Sequence, residues 1–67
     1  MSFEQTKIFY NLVNHFVAYG NSILYDAGRE EKARDLAEKF SKMHGAANIK
    51  KVCAKANQKL KTKLYTI

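Results

Sequence analysis

Six lysines, Lys50, Lys51, Lys55, Lys59, Lys61 and Lys63, fall in a stretch that holds no acidic side chain. Ammonium groups at that density can neutralise successive phosphates. Each such contact releases counterions, so attraction to a polyanion would weaken steeply with salt. Lysine acts on phosphate as a point charge. Arginine, whose planar fork reads guanine, does not occur in this stretch. Gln58 and Tyr65 project among the lysines in a helical reading and add one polar contact and one stacking surface. Two such residues do not make a base-reading set. The pattern therefore predicts an anionic partner, nucleic acid in the first place, met with little sequence specificity. An acidic protein surface is the alternative, since a basic helix also steers association with one. The plainer reading is a solvated face that keeps a small protein soluble.

Other reactive side chains are sparse. His15, His44 and Cys53 could converge on a metal or form a Cys/His pair, but no ligand spacing supports either. There is no glycine-rich phosphate loop and no nucleophile motif. The sequence predicts a non-enzymatic protein with no catalytic residue, metal or cofactor. His15 is expected to border an apolar face, His44 to sit at a helix C-terminus, and Cys53 to be a buried, inert thiol.

The formal charge is +6, and it is unevenly placed. Residues 1–41 carry five basic and six acidic side chains, and residues 42–67 carry seven lysines and no acid. The excess belongs to the last third, which argues for an anionic partner more than a high overall pI would. Sixty-seven residues form one domain at most, with a core that rarely supplies more than roughly 3–5 kcal/mol. A single cysteine allows no internal disulfide, so a homo-oligomer or very efficient helix packing is expected to make up the difference. The lone thiol fits a reducing compartment, and no secretory signal is readable, so the expected location is the cytoplasm. Residues 8–25 lack formal charge, but Asn11, Asn14, His15, Asn21 and Ser22 are costly in a bilayer, so no membrane role is expected.

The elements that position these residues read as all-α. The expected architecture is a small three-helix bundle, or a helical hairpin plus a basic C-terminal helix, within one domain over 1–67. No proline interrupts the chain, and three glycines punctuate it. The first helix is predicted over about 3–25, with Ser2 and Gln5 spaced as a capping box. Phe9, Leu12, Val13, Phe16, Val17, Tyr19, Ile23 and Leu24 share its broad apolar face. Gly20 lies within that face, and a continuous helix with Gly20 at a close crossing is expected. The second helix is predicted over about 29–43. Gly28 supplies a left-handed residue before it, and Ala33, Leu36, Ala37, Phe40 and Met43 form its stripe. Glu30–Arg34, Asp35–Lys39 and Glu38–Lys42 are spaced for ion pairs on its outer face. The third is predicted over about 47–65, with Asn48 a possible N-cap and Ile49, Val52, Cys53, Ala56, Leu60 and Leu64 its apolar stripe.

The first helix's apolar arc is wider than one neighbour can cover. It predicts either a central helix packed on both sides or an interface using Phe9, Phe16, Tyr19 and Ile23, since aromatic anchors are typical of binding hot spots.

Overall fold

Helix α1 covers Phe3–Ile23, α2 covers Arg29–His44 and α3 covers Ala46–Leu60 in the computed structural model, which describes residues 2–66. The protein is a three-helix, all-α fold, and there is no strand among the described residues. Helix α1 starts where the capping box puts it. The Ser2 hydroxyl accepts from the Gln5 amide at 3.2 Å, and the Gln5 side chain accepts from the Ser2 amide at 3.1 Å. Two first-turn donors are thereby satisfied. The helix runs through Gly20 without a break. It stops at Ile23, two residues before the predicted end. The Arg29 side chain donates to the Leu24 carbonyl at 2.8 Å, and Lys32 and Asp26 form an exposed ion pair at 3.0 Å across the turn.

That is the only ion pair among the described residues. Glu30–Arg34, Asp35–Lys39 and Glu38–Lys42 do not close. Long exposed side chains lose more rotamer freedom in such pairs than the screened attraction returns. Gly28 has φ −96°, so it is not the left-handed residue expected of it. Gly45 takes the positive φ, at 92°, and joins α2 directly to α3. Asn48 lies inside α3 and is not its N-cap. Its side chain donates back to the His44 carbonyl at 2.8 Å and closes the end of α2.

Helix α3 is the central element. It packs on both α1 and α2, whose backbones stay apart and which meet mainly through His15 and Phe16 against Phe40. The expectation of a central α1 is thus corrected. The reason lies in side-chain size. Ile49, Val52, Cys53 and Ala56 present a slim stripe that two neighbours can approach, and Ala33 and Ala37 bring α2 close. The result is flat, with Cα extents of 38 × 22 × 14 Å. Phe16 is the hub. Its ring is fully buried, edge-on to Phe40 at 5.4 Å and tilted against Tyr65 at 5.0 Å. Met43, assigned to the α2 stripe, is 58% exposed, because α3 turns away at Gly45 and leaves it uncovered.

The largest departure from the sequence reading is at the end of α3. The helix stops at Leu60, five residues before the predicted boundary, and residues 61–66 fold back as a strap. Lys61 adopts the left-handed conformation, with φ 59°. Its amide bonds the Gln58 carbonyl at 3.3 Å, and the Thr62 amide bonds the Asn57 carbonyl at 3.2 Å. This pair of bonds is a Schellman ending, which satisfies carbonyls the helix would leave open. The left-handed residue is usually glycine, and a lysine there costs about 1–2 kcal/mol. Burial further along the strap offsets that cost. Leu64 and Tyr65 are 4% and 3% exposed.

Candidate functional site

One side chain pairs with the backbone of the strap. Asn57 Nδ2 donates to the Tyr65 carbonyl at 2.7 Å, and Asn57 Oδ1 accepts from the Tyr65 amide at 2.9 Å. A single amide thus pairs with both backbone groups of one residue, as a neighbouring strand would. The Tyr65 hydroxyl donates to the Phe16 backbone carbonyl inside the core. Burial pushes the Tyr65 phenol well above its ordinary range, so this donor keeps its proton.

Gly20 explains why the strap lies where it does. A Cβ there would sit 2.6 Å from Leu60 Cδ1, 3.0 Å from Leu64 Cδ2 and 3.4 Å from the Tyr65 hydroxyl. The close crossing expected at Gly20 is therefore made with the end of α3 and the strap.

Folding the strap back shapes the lysine surface. An open groove of about 710 Å³ runs between the last turns of α3 and the strap. Lys51 and Lys55 line it from α3, and Lys61 and Lys63 from the strap. Phe9 of α1 and Ala54 supply apolar surface, and Gln58 and Thr62 supply polar groups. No acidic side chain lines it. Lys50 and Lys59 lie outside the groove and are exposed. Lys59 also stands in the last turn of α3, where a cation complements the helix dipole. Of the eight residues expected at an anionic-partner face, Lys51, Lys55, Lys61, Lys63 and Gln58 come together. Tyr65 does not. It points into the core, so the stacking surface expected of it is absent from that face.

A second, smaller groove of about 300 Å³ abuts the first. It is lined by Ile8, Phe9, Leu12 and Val52 among others, and it shares Phe9 and Lys51 with its neighbour. Gln5, His44 and Asn48 complete its lining, so Phe9 stands at the junction of two mixed grooves, the first of them rimmed by lysines. Sequence reasoning placed Phe9 on a wide apolar arc but gave no sign that it would meet the lysines.

The expected interface set on α1 is corrected as well. Phe16 and Ile23 are internal, at 0% and 4% exposure, because α3 and the strap cover them. Phe9 and Tyr19 are half-buried against the core. The exposed apolar side chains of α1 are instead Phe3, Ile8 and Tyr10.

The three residues weighed for metal or nucleophilic chemistry do not converge. His15 stacks on Phe40 at 5.3 Å, and His44 stacks on the same residue at 6.0 Å. Cys53 is buried in α3, and burial pushes its thiol up to about 11, so the nucleophilic thiolate is scarce at neutral pH. Among the described residues no three potential ligands gather. Nor is any helix there long and apolar enough to cross a membrane.

In class, then, this is a small three-helix protein with a lysine-rimmed groove beside its C-terminal strap. No family model, curated protein or solved structure matches the chain.

Proposed function

We propose that this chain is a non-enzymatic binding protein that engages nucleic acid through its phosphates, with little sequence specificity. The observation that supports this most is the groove itself. Four lysines from two separate elements line one concavity, and no acid neutralises them. Lys50 and Lys59 are exposed on opposite flanks of α3, outside the groove. With no arginine on that surface, and with Tyr65 turned inward, contact with the backbone is favoured over base reading.

The test is fluorescence anisotropy with labelled DNA and RNA across a salt series. Four phosphate contacts correspond to a slope of log affinity against log salt of about −3.6 on duplex DNA. Charge reversal at Lys51 and Lys55 should lower affinity at least tenfold at low salt and flatten the slope by roughly two. Unchanged affinity in that double variant refutes the reading.

A second reading is a protein-binding inhibitor or adaptor that docks on an acidic protein surface. One observation favours it: the groove at Ile8, Phe9 and Leu12, which His44 and Asn48 also line, adjoins the lysines; Phe3 and Tyr10 are exposed on the other side of α1. An apolar centre with a charged rim is the usual anatomy of such an interface. The same exposed side chains support self-association, and the single buried thiol fits a cytoplasmic protein. A complex with one protein that survives nuclease treatment in an affinity purification would favour this second reading over the first.

A further inference from the structure

We infer that the groove between α3 and the strap takes a single strand, with Phe9 as the surface on which a base stacks. This rests on the nucleic-acid reading above and narrows it. A duplex presents a convex rod of phosphates with its bases stacked inside. Exposed lysines on one side of a helix would meet that rod without a concavity. The groove is shallow and open, and what it adds that a duplex cannot use is an apolar wall. Its lining combines four ammonium groups with the Phe9 side chain and Ala54. A cationic channel that follows the backbone, with an aromatic group for an unstacked base, is how single strands are held without sequence preference.

Phe9 is half-buried: its side chain packs against the core, lies T-shaped to Tyr10 at 5.3 Å, and gives part of its surface to the groove. Gln58 and Thr62 are the other polar side chains near the lysines, and Asn57 is occupied with the strap. Few groups are left to distinguish one base from another, so the binding is sequence-tolerant. An acidic peptide is less well matched. Its carboxylates would pair with the same lysines, but it brings no planar base to stack on Phe9.

The experiment uses the full chain and three labelled probes: a short oligothymidylate, a duplex of the same length and a poly-glutamate peptide. Oligothymidylate should bind more tightly than the duplex at low salt. Phe9→Leu keeps apolar volume but removes the aromatic face, and it should weaken oligothymidylate binding about tenfold. Duplex binding should hardly change. Phe9→Tyr should restore the preference, which a merely structural role for Phe9 would not predict if both variants melt like the parent. Equal affinity for single strand and duplex, with no loss in Phe9→Leu, overturns this inference and leaves the broader nucleic-acid reading standing. Binding of poly-glutamate alone, or of none of the three probes, overturns both.

Discussion

Replacing Asn57 by alanine isolates what the strap contributes. The change removes two hydrogen bonds, at 2.7 and 2.9 Å, and leaves both backbone groups of Tyr65 to find water. Each bond contributes about 0.5–1.5 kcal/mol net, so the pair is worth roughly 1–3 kcal/mol. Alanine recovers roughly 0.5 kcal/mol of helix propensity at this position inside α3. The expected net loss is therefore about 0.5–2.5 kcal/mol. In a chain whose whole stability is roughly 5 kcal/mol, that lowers the melting temperature by about 2–20 °C. Circular dichroism on heating and in urea gives the global figure. Hydrogen exchange at the Tyr65 amide gives the local one, and this amide should lose protection before the helical amides of α1 do. An aspartate control sharpens the test. Asn57→Asp keeps the acceptor for the Tyr65 amide but sets a carboxylate against the Tyr65 carbonyl. It should be at least as damaging as alanine at neutral pH, and should recover part of the loss below about pH 4, where a protonated carboxyl can donate. A melting temperature within about 2 °C of the parent, with the Tyr65 amide still protected, refutes the argument that Asn57 holds the strap.

Phe16→Ala should cost about 3–5 kcal/mol and leave the chain largely unfolded at room temperature, seen as loss of helical ellipticity; a cooperative melt above about 50 °C would contradict Phe16's place as the hub of the core. Lys61→Gly should raise stability by about 1 kcal/mol in urea titrations while weakening anion binding, since it relieves the left-handed strain and removes one lysine of the groove; destabilisation would contradict the Schellman ending. Alkaline pH should destabilise the protein. Burial raises Cys53 from 9.0 to about 11 and raises Tyr65 above its ordinary 10.0, so both favour the protonated form in the fold. The Cys53 contribution is full below about 9 and is lost as pH rises through about 11, while that of Tyr65 begins to fall only above about 10 and goes on falling at higher pH. The urea midpoint should fall across that window and fall less in Cys53→Ala and Tyr65→Phe, and a flat profile in the parent would refute it.

Much of the helical frame was legible because it depends on local chemistry. The Ser2–Gln5 spacing set the start of α1, and the apolar period of α1 continued across Gly20, so one helix was expected and one is found. The stripe Ile49, Val52, Cys53, Ala56 identified the buried side of α3 residue by residue. Helix ends were harder to read. Asn48 looked like a cap because its type and place suited one. Gly45, one turn earlier, could take a positive φ and made the cap unnecessary.

The lysine surface shows where the sequence stops deciding. Composition alone determined that the excess charge lies after residue 41 and that no acid offsets it there. Helical periodicity then put Leu64 in phase with the α3 stripe and Tyr65 among the lysines. The phase of Leu64 was coincidental, because Leu64 reaches the core from the strap and not from a helix. No local signal marks the exit at Lys61, since the left-handed position carries a lysine where glycine is usual. What selects the exit is non-local: the gap above Gly20 that accepts Leu64, the Phe16 carbonyl that accepts the Tyr65 hydroxyl, and the Asn57 amide that pairs with the Tyr65 backbone. These partners lie up to 49 residues away along the chain. The sequence thus determined how much charge the C-terminal third carries. Only the tertiary structure decided that four of its lysines face a groove with Phe9 at its wall, because burying two apolar side chains outweighed continuing the helix.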